Sequence, residues 1–212
     1  MIKIKQINSN EMNYLPLRSN VGIDYTILRD LLAAGSWKEA DEETGRVMLN
    51  AVEQEGRHYF SQEVIKKFPC EDLRTINQLW LHYSNNKFGF SVQKNIWINC
   101  GGTSELVEYD VFQMKVFQKF MDTIGWRKWR FSLNLRMIDS NLKGQWNSGS
   151  RSDLLRFGSK LEITFNTHEC LSYSDLKFSL AAPSGHLPRM GEQTFIGSWY
   201  REWLLSLNPN CL

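Results

Sequence analysis

The stretch Phe68–Trp97, FPCEDLRTINQLWLHYSNNKFGFSVQKNIW, constrains the fold more than any other part of the chain. Leu73, Ile76, Leu79, Trp80 and Tyr83 recur at helical spacing, and Asp72 stands ahead of the run as a cap. Asn85-Asn86-Lys87 breaks the pattern with residues that favour a tight polar turn. A second helix then carries Phe90, Val92, Ile96 and Trp97, an apolar set too wide for the first helix alone to cover. The face left over has to meet another element or a ligand.

The flanking sequence supplies further helices. Tyr25, Leu28, Leu31 and Leu32 make a short one that Gly35 ends by accepting the left-handed conformation of a C-terminal cap. Ser36-Trp37-Lys38-Glu39 has capping-box spacing, and Trp37, Ala40, Thr44, Val47, Met48 and Ala51 follow on one face of a helix that Gly56 ends. The result is a helical hairpin; no second copy recurs at a fixed period, which rejects a tetratricopeptide array. Phe60, Val64, Ile65 and Phe68 give a brief helix stopped by Pro69. After a flexible joint at Gly101-Gly102, Tyr109, Phe112, Val116, Phe117, Phe120 and Met121 form another amphipathic helix that runs into Gly125-Trp126-Arg127.

The period then changes from helical to two. Trp129, Phe131, Leu133, Leu135 and Met137 alternate with polar residues, and Leu161, Ile163 and Phe165 do so again beyond a loop containing Gly144, Ser148, Gly149 and Ser150. This predicts a two-stranded ribbon. A lone ribbon is marginal in water, so its apolar face should lie on the protein body, a ligand or a partner. From Leu171 onward the chain is irregular, punctuated by Pro183, Gly185 and Pro188, before Trp199, Trp203, Leu204 and Leu207 outline a last short helix.

At 212 residues the chain can bury a proper core, and 42% hydrophobic with 23% charged residues is ordinary globular composition. A net charge of +2 lacks the basic excess of a nucleic-acid-binding surface. Aromatics reach 13%, including eight tryptophans. They serve equally as core or as walls for a flat ligand. Cys70, Cys100, Cys170 and Cys211 are far apart and form no C-x-x-C pair, so neither a zinc knuckle nor a disulfide framework is expected, and a reducing compartment fits best. No apolar run is long enough to span a bilayer, and the amino terminus has neither a signal-peptide block nor a Ser/Arg-rich transit composition.

Catalytic patterns are missing as well. His168-x-Cys170 has metal-ligand spacing and His186 is a possible base with Asp175, but neither has the convergent partners a site requires. There is no Gly-rich phosphate loop, H-E-x-x-H or nucleophile elbow. His58, His82 and His168 read as surface or hydrogen-bonded histidines.

The wording of the central stretch, FPC-x-DL, LW-x-x-YS, FGFSVQ and IW in uninterrupted order, resembles the genomes-uncoupled-four family of porphyrin-binding proteins. Upstream, Leu28-Arg29-Asp30-Leu31-Leu32, Trp37-Lys38-Glu39-Ala40-Asp41 and Glu43-Thr44 look like the family's opening helix pair. Downstream, Gly125-Trp126-Arg127, Tyr173-Ser174-Asp175-Leu176, Phe178-Ser179-Leu180, Ala182-Pro183 and Gly185-His186-Leu187-Pro188 look like its closing segments. The likeness runs from Tyr25 to Pro188, with Lys128–Cys170 standing as an insertion where relatives have a short connection.

The resemblance implies a mainly α fold: a lead-in at 1–24, then a compact multi-helix porphyrin-binding domain over 25–212, with the two-stranded β-ribbon inserted at 128–170. The lead-in is too short for the helical bundle that precedes this domain in some relatives. The resemblance further implies a non-enzyme that binds protoporphyrin IX and magnesium protoporphyrin IX and stimulates magnesium chelatase in chlorophyll synthesis through the chelatase's large subunit. It would have no fixed metal and no nucleic-acid partner. Its place would be a cyanobacterial cytoplasm or a plastid stroma, where peripheral membrane contact is possible. An alternative is a divergent member acting as a tetrapyrrole or bilin sensor, or as an interaction scaffold, untied to the chelatase.

A porphyrin offers two broad apolar faces and an edge bearing propionates. Burying ~400 Å² of apolar area yields roughly 10 kcal/mol before association costs. A charge-assisted bond to each propionate adds about 1.5–3 kcal/mol, so apolar surface supplies affinity and cations supply orientation. By resemblance the walls would be Phe88, Phe90, Val92, Ile96, Trp126 and Phe178, with Arg127 and Arg189 on the propionates and His186 in contact or shaping the turn. Lacking an evident axial ligand, such a site suits a carrier of metal-free and magnesium porphyrin better than a haem protein.

Overall fold

Among the described residues of the computed structural model, the apolar spacing of the helices matches the residues they bury. The structure describes residues 15–52, 62–103, 111–138, 160–191 and 211–212, with the backbone alone at 62–63, 111–112, 129–138 and 160–168. Gly56, Phe60, Tyr109, the Gly/Ser loop and the Trp199–Leu207 helix of the sequence analysis lie outside these residues, as do the side chains of Phe112 and of the alternating strands. The elements are α1 (Thr26–Ala33), α2 (Trp37–Asn50), α3 (Gln62–Lys66), α4 (Cys70–Tyr83), α5 (Phe90–Asn99), α6 (Val111–Thr123), β1 (Arg127–Ile138) and β2 (Lys160–Cys170), followed by a 3-10 turn at Tyr173–Asp175. They form two compact units, residues 1–126 with 171–212, and residues 127–170.

In the helical unit α1 packs on α2 and α4, and α5 packs on α6. Leu28 and Leu32 of α1, Trp37, Ala40, Thr44, Val47 and Met48 of α2, and Leu73, Ile76, Leu79 and Trp80 of α4 are buried. The aromatic residues fall into two clusters. Trp37, Trp80 and Phe88 meet with ring centroids 5.7–6.3 Å apart. Trp97, Phe117, Phe120 and Trp126 meet at 5.9–6.4 Å. The Trp80 indole N–H donates to Thr44 Oγ1 at 3.0 Å, and that hydroxyl donates to the Ala40 carbonyl, so the polar edge of the first cluster is satisfied.

Four helix ends follow one pattern. After α1, the Ser36 N–H reaches back to the Leu31 carbonyl and the Gly35 N–H to Leu32, with Gly35 at φ +69°. This is a Schellman ending, and glycine takes the left-handed position without steric cost. The same pair of bonds ends α4 with Asn85 at that position, and ends α5 and α6 at Gly101 and Gly125. Gly101-Gly102, expected as a flexible joint, is thus a helix cap.

Two capping expectations are corrected. Ser36 precedes α2 but its side chain makes no capping bond. Asp72 is inside α4, which starts at Cys70 behind Pro69. Its buried carboxylate accepts from the Ser19 hydroxyl, the Asn20 N–H at 2.8 Å and the Tyr25 hydroxyl at 2.8 Å, strapping residues 19–25 onto α4. A helix's first turn favours negative charge, which suits this arrangement. The expectation of no disulfide is also overturned: Cys70 is bonded to Cys211, 141 residues away. Cys100 and Cys170 are free thiols.

The second unit is the ribbon. β1 and β2 pair antiparallel from Arg127 opposite Cys170 to Ile138 opposite Lys160, and the register sets Leu133, Leu135 and Met137 opposite Phe165, Ile163 and Leu161. Between Trp129 and Ser132 the register shifts by one residue, a bulge on β1.

Candidate functional site

Residues 185–191 are non-helical yet buried, an arrangement that needs a partner for every backbone polar group. The helices provide several of them. Asp41 of α2 accepts the N–H groups of Arg189, Met190 (3.0 Å) and Gly191 (2.8 Å) and the Tyr173 hydroxyl (2.9 Å). Burial pushes the Asp41 pKa up, and these donors act against it. Gln93 of α5 donates its amide to the carbonyls of Gly185 and Pro188, each at 2.9 Å. Gly45 of α2 lies against the Met190 carbonyl so closely that a Cβ there would overlap it. Gly89 N–H donates to the Leu187 carbonyl and Gly185 N–H to the Lys87 carbonyl, tying the segment to the entry of α5.

His186 and Trp126 close the frame from the α6 side. The Trp126 indole donates to the His186 carbonyl at 2.8 Å. His186 Nδ1 lies 2.7 Å from the Ile124 carbonyl, and the Lys177 N–H donates to Nε2 at 3.1 Å. This pair of partners selects the neutral ring with its proton on Nδ1. Burial pushes the His186 pKa down, helped by the charges of Arg189 and Lys177 against the Ile124 bond. Arg189 is 7% exposed, with its guanidinium carbon 5.6 Å from the Trp126 ring centroid and one nitrogen donating to the Leu171 carbonyl at 3.1 Å.

The residues singled out in the sequence separate into two groups. Phe88, Phe90, Trp126 and His186 are wholly buried, or nearly so, and Arg189 is buried against Trp126. Val92 and Ile96 are half-buried on one flank of α5, and Phe178 is half-buried with its ring 5.2 Å from Tyr173. Ile96 and Ile124 both lie against Gly185, so this flank adjoins the loop at 177–186. Arg127 opens β1 and belongs to the ribbon unit. Asp41, Gln93 and Tyr173 carry the frame and were not singled out as site residues; for Asp41 and Gln93 the signal was a polar group on an otherwise apolar helix face, and Tyr173 stood in the Tyr-Ser-Asp-Leu segment.

A model of the GUN4-like family matches residues 18–206. The chain belongs to the GUN4-like family. A solved GUN4 structure from Chlamydomonas reinhardtii is similar to the GUN4-like chain with a TM-score of 0.56 and 26% identity, over 93% of this chain and 97% of that one. Ligand-free Arabidopsis thaliana GUN4, at 21% identity and a TM-score of 0.53 over 90% of this chain and 99% of that one, shares the fold. Among relatives, a Ycf53-like protein from Synechocystis is 29% identical over 84% of this chain and 55% of its own length. The chloroplastic tetrapyrrole-binding protein of Arabidopsis thaliana is 30% identical over 49% of this chain and 35% of its own. The GUN4-like chain thus spans about half or less of the length of these two curated relatives. Among its described residues no helix is long and apolar enough to cross a membrane, and no group of three His, Cys, Asp or Glu is placed to hold a metal ion.

Proposed function

We propose that the chain is a non-catalytic tetrapyrrole-binding protein that takes protoporphyrin IX and magnesium protoporphyrin IX and stimulates magnesium chelatase through its large subunit, in a cyanobacterial cytoplasm or plastid stroma. The observation that carries this reading is the half-buried apolar flank of α5, Val92 and Ile96, which meets the loop at Gly185 over a frame hydrogen-bonded through Gln93, Trp126 and Tyr173. A macrocycle needs such surface on a rigid support, because ordering costs subtract from affinity. Family membership and the name of the Arabidopsis relative support the choice of ligand. In this reading Phe88, Phe90 and Trp126 hold the wall from behind, His186 and Arg189 fix the loop, and no residue is assigned to the metal.

A second reading, a tetrapyrrole or bilin sensor or scaffold untied to the chelatase, is favoured by the ribbon, which forms a compact unit of its own and offers a separate partner surface. Chelatase assays with purified subunits separate the two. A faster rate with this chain and porphyrin supports the first reading. An unchanged rate with intact porphyrin binding selects the second, and turnover of the bound pigment would make the protein an enzyme.

A further inference from the structure

The resemblance assigns the propionates to Arg127 and Arg189, yet Arg189 is committed inside the frame, on the Trp126 ring and the Leu171 carbonyl. Among the described residues, Lys87 and Lys177 are cations held at the loop that Ile96 meets at Gly185. Lys87 is half-buried at the entry to α5; its carbonyl accepts the Gly185 N–H at 2.9 Å and its Nζ donates to the Leu180 carbonyl at 2.5 Å. Lys177 is exposed, and its backbone N–H is held by His186 Nε2. Both lysines are therefore anchored, through their backbones, to the loop at 177–186. That loop also carries Phe178, the 48% exposed Leu180 and the exposed Pro183. Among the described residues neither ammonium group has a carboxylate partner.

Resting on the tetrapyrrole reading, we propose that Lys87 and Lys177 form a cationic rim for the side-chain carboxylates of the bound macrocycle, so that the site selects rings with free carboxylates over the same rings esterified. An ammonium group has three donors, so Lys87 can keep the Leu180 carbonyl while taking a carboxylate. The apolar loop beside it holds the ring edge, and the charge pair sets which edge faces out.

The test is a titration of the full chain with deuteroporphyrin IX and with its dimethyl ester in the same detergent buffer, for the wild type, Lys87→Met, Lys177→Met and Lys87→Arg. Each Met variant should bind the diacid roughly three- to tenfold more weakly, with solvent screening keeping the loss at this modest level. Diester affinity should be lower in the wild type and unchanged by the substitutions, and Lys87→Arg should retain diacid binding. Met variants that bind the diacid as the wild type does would overturn the rim while leaving tetrapyrrole binding in place. A wild type that binds neither ligand would overturn the tetrapyrrole reading and the rim with it.

Discussion

His186 is held by one bond that its ring donates and one that it accepts, and a protonated ring can make only the first. Protonation would set Nε2–H against the Lys177 N–H inside a buried site. The folded pKa lies below the ordinary 6.5, so as pH falls the unfolded chain takes up its proton first. The stability contributed by the neutral ring is therefore complete above about pH 6.5 and is lost as pH falls below it. An NMR titration of the ring should show an Nδ1–H tautomer and a midpoint below 6.5; a midpoint at or above 6.5 would remove this account of the loop. His186 stood out in the sequence only through its motif. Its burial between Ile124 and Lys177 depends on contacts 62 and 9 residues away, which no local pattern encodes.

At the scale of elements, helix positions were largely legible because the buried face repeats every three or four residues. The Trp37–Ala40–Thr44–Val47–Met48 stripe is buried as its spacing requires. Asp41 and Gln93 interrupt such stripes, and the interruptions mark where irregular backbone docks. The ribbon was legible from its period-two alternation, whereas its register shift at Trp129/Ser132 was not, because Trp129, Phe131 and Leu133 alternate across it without a break in the sequence. The base of the ribbon yields a prediction. The Leu171 N–H donates to the Trp126 carbonyl at 2.9 Å, so the two ends of the helical unit are adjacent where the ribbon leaves it. Replacing residues 127–170 by a short Gly/Asn turn should leave helical circular dichroism and cooperative melting intact. Loss of the cooperative transition would show that the helical unit needs the ribbon in order to fold.

Across the whole molecule, Cys70–Cys211 ties the chain's end to the first turn of α4, where Asp72 also holds residues 19–25. The pairing was invisible in the sequence because spacing over 141 residues carries no information about contact. Closing so long a loop restricts the unfolded chain, and Cys211→Ser should cost about 2–4 kcal/mol in urea denaturation. A dithiol reductant should produce the same loss in the wild type and none in the variant. Equal stability of the two proteins under oxidising conditions would show that the bond contributes nothing. The fold places apolar surface on α5 beside a loop pinned from α2, α5 and α6, and tetrapyrrole binding is the claim on which the rest depends. Its most direct test is porphyrin absorption and tryptophan quenching during titration of the wild type and of Ile96→Asp, which puts a charge on the half-buried flank and leaves every aromatic residue unchanged. The account predicts saturable binding by the wild type and at least roughly tenfold weaker binding by the variant, from the cost of burying an unpaired charge beneath an apolar ring. Non-saturable binding by the wild type, or equal affinity in a folded variant, would contradict it.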